Sequence, residues 1–371
     1  MNVSFRVDAS IEIGAGHVMR CLTLAEALRE HGARARFLCR AQPGDLIETI
    51  RERGFAVDAL RGDVDGATAA LGAARAPAHA AWLGADWLTD ARETQSLLAD
   101  AALDWLIVDH YALDAQWERE LRGGCRRLMV IDDLADRPHD CDLLLDQNLG
   151  RVAGDYENLI PRSCVVLAGP RYALLRPEFA RLRAYSLRRR VEPKLENILV
   201  TMGGVDRANV TGAVLSALSE CRLPEDIVVK VVMGPTAPWL EDVRAAAARA
   251  PWKTNVLVDV REMAQLMADS DLAIGAAGGT SWERCCLGLP TLVFALADNQ
   301  LPIARALAGT GAAIEVELDQ KGSCADLCRP LALMMEGDEL IIRKMSEAAS
   351  VVVDGRGTDR VVSCIVMDIG A

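Results

Sequence analysis

The sequence predicts an α/β protein of two domains, each a parallel sheet with helices on both faces. Three observations carry this prediction. The chain has 371 residues, long for one hydrophobic core, and 51% of them are apolar, enough to fill two. Apolar, β-rich runs alternate with helix-period segments almost throughout. A basic stretch without strand character, Arg176 to Glu196, with prolines near both ends, separates two such series. The expected domains are therefore residues 1–185 and 186–371.

Taken in order, the first series reads FRVD, ARFLC, FAVDAL, WLIVD, RLMVID and DLLLD, each with the β-branched and aliphatic content of a strand covered on both faces. Gly62 to Ala80 is rich in Ala, Gly and Asp without a period. It is expected to be a loose-ended helix or a surface insertion that carries no chemistry. The second series reads NILVTMGG, IVVKVVMG, TNVLVDV, DLAIGA and PTLVFA. The tail reads as a helix ending near Val353, a DGRG turn, and a last helix, DRVVSCIVM, expected to return toward the first domain. Each half opens with a glycine loop after its first strand, Gly14 to His17 and Gly203 to Asp206. The two loops are alike in design but not in sequence, so they are not an internal repeat.

The formal charge of −12 repels nucleic acid and anionic lipid, so partners of those kinds are not expected. The start, MNVSFRVDAS, meets Arg6 and Asp8 before any apolar core can form and reads as a first strand, not a secretory signal. Uncharged apolar runs such as Cys285 to Ala297 fall short of the roughly 20 residues of a membrane helix. A cytoplasmic protein is expected. The 11 cysteines are scattered, without a CxxC pair or histidines at zinc spacing, and are expected to be buried free thiols. No metal site and no cofactor is expected.

In open parallel sheets ligands sit beyond the carboxyl ends of the strands, where this sequence places IGAGHVMRC after FRVD. Gly14 and Gly16 allow close approach of a ligand to the backbone. The spacing is neither GxGxxG nor a P-loop, which disfavours a dinucleotide cofactor. A helix starting near Gly16 puts His17 in its first turn, where the helix dipole disfavours the charged imidazole and favours a general base. The alternative is a histidine bonded to a turn carbonyl. In the second half, AIGAAGGTSWERCCLGLP brings Gly278, Gly279, Thr280 and Ser281 to a strand-to-helix turn whose amides and hydroxyls suit a diphosphate. Glu283, one turn in, suits a ribose diol or serves as an ordinary first-turn acid.

VDHYALD adds Asp109, His110 and Tyr111 after WLIV. In IDDLADRPHDCDLLLDQN, Asp132 and Asp133 form a possible metal pair, although turn and cap roles come first. Asp146, Gln147 and Asn148 end another strand, and Asn299 and Gln300 follow FALAD. Polar strand ends in both halves imply a cleft between the domains.

These stretches, in the order RVDASIEIGAGHVMRC, VDHYALD, IDDLADRPHDCDLLLDQN, GPRYALLRPEF, TMGGVDRANVT and GGTSWERCCLGLPTLVFALADNQ, resemble the UDP-2,4-diacetamido-2,4,6-trideoxy-beta-L-altropyranose hydrolases of the pseudaminic acid pathway. The likeness runs from Phe5 to Gln300, and the DGRG tail also fits. It implies a glycosyltransferase B-like fold, two Rossmann-like domains whose parallel sheets face an interdomain cleft, related to the UDP-N-acetylglucosamine transferase of peptidoglycan synthesis. It implies a UDP-sugar substrate, with UDP on the GGTSWE helix and Glu283 on the ribose. By the same likeness His17 is the catalytic histidine, Tyr111 and Asn299 line the sugar and water site, and Gly203 and Gly204 approach the diphosphate. Arg20, Asp109 and Gln300 join the candidate substrate-binding residues. A glycosyltransferase using the same donor, a hydrolase acting at phosphorus, and a nucleotide-sugar sensor remain the alternatives.

Overall fold

The computed structural model of the chain describes residues 1–61, 77–99, 102–319, 322–335 and 339–367. Residues 62–76 of the expected insertion lie outside the described residues. The chain divides into two compact units, Met1–Leu174 with Gly357–Ala371, and Leu175–Arg356.

The first unit runs β1 (Asn2–Val7), α1 (Gly16–Glu30), β2 (Arg34–Arg40), α2 (Ile47–Glu52), β3 (Ala56–Leu60), α3 (Trp87–Leu98), β4 (Trp105–Asp109), α4 (Ala115–Leu121), β5 (Arg127–Ile131), β6 (Leu143–Asp146) and β7 (Val165–Ala168). Its strands form a parallel sheet in the order β3-β2-β1-β4-β5-β6-β7. Alternate residues feed two cores. Phe5, Ile107, Met129 and Leu145 pack on the face covered by α1, while Leu106, Val108, Leu128 and Val130 pack with Trp117 of α4 on the other. Both faces of β4, β5 and β6 are apolar, which is why these strands read as continuous hydrophobic runs.

The second unit runs α5 (Pro177–Arg189), β8 (Asn197–Thr201), α6 (Val210–Glu220), β9 (Val228–Met233), α7 (Leu240–Arg249), β10 (Lys253–Val258), α8 (Met263–Ala268), β11 (Leu272–Ala276), α9 (Thr280–Cys286), β12 (Thr291–Phe294), α10 (Leu301–Gly309), β13 (Ala313–Glu315), α11 (Cys328–Met335) and α12 (Glu339–Val352). Its sheet is parallel in the order β10-β9-β8-β11-β12-β13. The last helix, α13 (Gly357–Met367), belongs to the first unit, where Val361, Val362 and Ile365 are buried in the core beneath α1.

Three features differ from the sequence reading. The expected division between residues 185 and 186 would cut α5, which lies wholly in the second unit. Its arginines act as donors to helix ends there: Arg189 and Arg190 donate to the carbonyls of Ala268, Met267 and Ser270 at the close of α8, and Arg183 to those of Ser350 and Val353. β7 and β13, short strands at the edges of their sheets, are not among the strands expected from the sequence. Cys221 and Cys328 are disulfide-bonded, with Cα atoms 5.1 Å apart, where free thiols are expected. They lie 107 residues apart in sequence, and only the packing of α6 beside α11 brings them together. Cys285, Cys286 and Cys324 are free and buried. No helix of the described residues is long and apolar enough to cross a membrane.

Helix α13 enters tightly. A methyl group at Gly357 would stand 2.3 Å from the Ala173 carbonyl oxygen. Gly357→Ala is therefore expected to lower stability by about 1–3 kcal/mol in denaturant unfolding; a variant as stable as the parent would contradict this docking of α13.

Candidate active site

Strand order decides where each unit binds. In the first sheet the chain leaves β1 toward β2 on one side, and β4 pairs with β1 on the other, so the carboxyl ends of β1 and β4 open at the point where strand order reverses. The second sheet has the equivalent opening between β8 and β11. The glycine loops follow β1, β8 and β11.

After β1 the chain turns on Ser10, whose hydroxyl accepts from the amides of Glu12 and Ile13, and Gly14 donates back to the Ser10 carbonyl at 2.8 Å. Gly14 has φ +78°, a conformation that favours glycine. Helix α1 starts at Gly16 with no side-chain cap and no acid in its first turn, so His17 stands beside free helix-end amides. Side chains added at Gly14 or Gly16 would meet open space, leaving room for a ligand.

His17 is buried, and its Nδ1 lies 2.6 Å from Asp109 Oδ1. A carboxylate only accepts, so Nδ1 carries the proton and Nε2 holds the lone pair in the neutral ring. Nε2 takes no protein partner among the described residues. Arg20, one turn along α1, clamps the same carboxylate through Nε at 2.6 Å and Nη2 at 2.7 Å, and its Nη1 reaches Asp133 Oδ2 at 2.6 Å. Burial opposes the ionised form of Asp109, but Arg20 and His17 outweigh it and hold the carboxyl far below the usual range. Each nitrogen of Arg20 thus donates to a carboxylate, and Nη2 also lies 3.3 Å from His17 Nδ1, which makes the side chain a brace for Asp109.

Tyr111 donates to Asp133 Oδ2 at 2.9 Å, and its ring meets His17 edge-on at 4.6 Å between centroids. Burial and the Asp133 charge push the phenol well above its usual range, so it stays protonated. With that proton given to Asp133, the free lone pair of the hydroxyl can accept from a water. Asp133, a turn or metal candidate on sequence alone, stands where it accepts from both Arg20 and Tyr111; its place beside a second aspartate is the only signal in the sequence. Its neighbour Asp132 serves the turn, accepting from the Ala135 amide, and pairs with Arg137.

The other polar strand ends are spent on structure. Gln147 accepts from Leu174 N, and Asn148 donates to the Asp133 carbonyl. Asp146 shares the single proton of the Tyr156 hydroxyl with Asp132, at 2.8 and 3.0 Å. Burial and the Asp133 charge push Asp146 up to about 7, and Arg151 Nε lies 3.2 Å from the same oxygen that accepts from Tyr156. Two further aromatic residues, His79 and Trp82, stand beside Tyr111, with ring centroids 5.4 and 5.9 Å from it. They fall at and just past the end of the segment expected to carry no chemistry.

In the second unit Gly278 and Gly279 lead into α9, and side chains added there would meet open space. Arg284 is buried under the turn, donating to the Ala276 carbonyl and to Ser281 Oγ at 2.7 and 3.0 Å. Gly275 is needed for this, because a Cβ there would fall 2.5 Å from the guanidinium. Ser281 is thereby turned inward, while Thr280 keeps a partly exposed place. Glu283 is partly buried, and burial pushes its carboxyl up from 4.5 to about 7 against the pull of Arg176 and Arg284. After β8, Gly203 takes φ +93° and Gly204 accepts from Gly234 N at 3.0 Å. Asn299 is exposed in a 3-10 turn after β12, and Gln300 closes that turn by accepting from Leu296 N at 3.0 Å.

Two outcomes follow. Asp109→Asn leaves Arg20 and His17 without their shared anion and is expected to cost about 3–5 kcal/mol in denaturant unfolding; an unchanged midpoint would contradict the clamp. For Glu283, folded protein holds a proton between pH 4.5 and about 7 that the unfolded chain has released, so its carboxyl lowers stability as pH rises through that window. Glu283→Gln should then gain on the order of 2 kcal/mol over the parent above the window and nothing below it. Equal stability at both ends would contradict the burial of this carboxyl.

No protein-family model matches the chain. It is 27% identical over 317 residues to the UDP-2,4-diacetamido-2,4,6-trideoxy-beta-L-altropyranose hydrolase of Campylobacter jejuni, a match covering 85% of this chain and 99% of that protein. It is 26% identical over 309 residues to MJ1062 of Methanocaldococcus jannaschii, an uncharacterized protein, covering 81% of this chain and 56% of that one. The chain thus spans little more than half the length of the second relative. The solved structure of MurG from Acinetobacter baumannii superposes with a TM-score of 0.66 at 17% identity, covering 99% of both chains. In fold the chain is a two-unit α/β protein of the glycosyltransferase B type, and in sequence it resembles the UDP-2,4-diacetamido-2,4,6-trideoxy-beta-L-altropyranose hydrolases.

Proposed function

We propose that the protein hydrolyses the anomeric C–O bond of a UDP-linked 2,4-diacetamido-2,4,6-trideoxy sugar, releasing UDP and the free sugar. The observation that carries this reading is the 2.6 Å contact between His17 Nδ1 and Asp109, which leaves Nε2 as the base. The sequence likeness to a hydrolase named for that substrate supports it.

In this reading Nε2 takes a proton from water as the water oxygen bonds to the anomeric carbon, and the electron pair of the C–O bond leaves with UDP. Asp109 stabilises the imidazolium as it forms, the role of the aspartate in a Ser-His-Asp triad. The Tyr111 hydroxyl, already donating to Asp133, accepts from the water and orients it, and Asn299 is assigned to the sugar and water site. Attack opposite the leaving group inverts the anomeric centre. UDP is assigned to Gly278, Gly279 and Thr280, whose free amides offset its charge, with Glu283 on the ribose diol and Gly203 and Gly204 toward the diphosphate. Gly14 and Gly16 keep the approach to His17 open. UDP leaves readily once its charge is met by donors, so the proposal calls for no metal and no cofactor. The reaction belongs to pseudaminic acid biosynthesis in the cytoplasm.

Turnover in ¹⁸O-labelled water is expected to place label in the free sugar, and His17→Asn to lower the rate by roughly 10² to 10⁴ with the fold intact. Label in the nucleotide would assign attack at phosphorus and contradict the proposal. Release of UDP only when an acceptor alcohol is added would assign a glycosyltransferase. Tight binding without turnover would assign a sensor.

A further inference from the structure

We propose that His79 and Trp82, together with Tyr111, form an aromatic wall that receives the apolar, deoxygenated side of the sugar and selects for it. The inference rests on the reading of the chain as a UDP-sugar enzyme and adds to it which residues choose the sugar.

The two rings are carried by a single turn. His79 precedes the 3-10 turn Ala80–Leu83, which is anchored at several points: Leu83 is buried in the core beside α3, Gln42 Nε2 donates to the Trp82 carbonyl at 3.0 Å, Trp82 N donates to His79 O at 2.9 Å, and Gly84 leaves the turn at φ +67°. The backbone is fixed, yet both rings stay partly exposed. A tryptophan held this way beside a polar dyad keeps an apolar surface available at the cost of leaving it wet, and a ligand that covers it recovers that cost.

The rings make a continuous surface. His79 and Trp82 lie 4.3 Å apart between centroids, Trp82 stacks on Tyr111 at 5.9 Å and 27°, and Tyr111 meets His17 at 4.6 Å. The surface therefore reaches from the turn to the base. Burial also lowers the tendency of His79 to take a proton, keeping that ring uncharged.

The chemistry that such a wall recognises follows from its position. It adjoins the imidazole that activates water, so it faces the sugar rather than the nucleotide. Aromatic faces favour C–H bonds and methyl groups, and they offer a hydroxyl no partner. A sugar with a methyl at C6 and acetamido methyls matches that surface, whereas a C6 hydroxyl would be desolvated against it. Apolar pockets reject such a hydroxyl by roughly 10².

The test compares the parent, Trp82→Ala, His79→Ala and Trp82→Phe on two UDP-2,4-diacetamido sugars that differ only by a hydroxyl at C6, with inhibition by UDP alone as the internal control. The parent is expected to favour the 6-deoxy sugar by roughly 10² in kcat/KM. Each alanine variant is expected to raise KM for it about tenfold, with kcat and UDP inhibition within about twofold of the parent, and Trp82→Phe to restore most of the loss. Unchanged KM in both alanine variants, or UDP inhibition weakened as much as KM, would overturn the wall, the second because it would assign these rings to the nucleotide or the fold. If the parent turns over neither sugar, the hydrolase reading fails, and calorimetric binding of the two sugars set against UDP still decides the wall: a Trp82→Ala loss confined to the 6-deoxy sugar supports it, and an equal loss for UDP overturns it.

Discussion

One carboxylate organises the first unit's site. Asp109 ends β4 at the reversal of strand order, and its two oxygens bind a histidine and a bidentate arginine that both come from the first turns of α1. The same contact that keeps a buried anion ionised also fixes which histidine nitrogen carries the proton. Without Asp109, the glycine loop would still open toward a ligand, but His17 would have neither a set tautomer nor a fixed ring plane. Tyr111 and Asp133 extend the arrangement, since Asp133 accepts from Arg20 Nη1 and from the phenolic hydroxyl together.

Holding that carboxylate still is itself demanding, and the sheet meets the demand with a second buried network. Arg6 of β1 pairs with Asp8 and Asp90, Asp90 also accepts from Arg40 and from the Trp117 indole, and all of these groups are buried. His110, the residue after Asp109, accepts from the Ala112 amide through Nδ1 and so turns its other nitrogen toward Asp8, 3.4 Å away. Buried ion networks add little net stability, but removing one partner is costly. Here they tie the carboxyl ends of β1 and β4 to each other and to α3, so His17 and Asp109, which come from two different strand ends, are held in one arrangement.

The sequence carried these features unequally. Strands buried on both faces announce themselves as apolar runs, so eleven of the thirteen strands among the described residues are legible, and the start of α1 at Gly16 follows from two glycines ahead of a helical period. The partners of His17 are harder to read, because Arg20 and Asp109 sit 89 residues apart and the clamp in which Asp109 accepts from both His17 and Arg20 forms only in the fold. Asp133 looked like a turn residue because half of an Asp-Asp pair does serve a turn. The role of Gln300 in closing its own turn and the pairing of Cys221 with Cys328 depend on packing, to which local pattern is blind. The domain division expected from sequence falls inside α5, because a run of arginines resembles a linker until the carbonyls they cap are known.

The central claim is that Asp109 holds the neutral imidazole of His17 with its proton on Nδ1, leaving Nε2 free to act as a base. The most direct measurement is ¹⁵N NMR of the histidine side chains at mildly alkaline pH, with the His17 signal assigned by its loss in His17→Asn. The account predicts a protonated Nδ1 and a bare Nε2 for that ring, and a shift of the tautomer population in Asp109→Asn. A His17 ring protonated on Nε2, or one whose tautomer does not respond to Asp109, would contradict it.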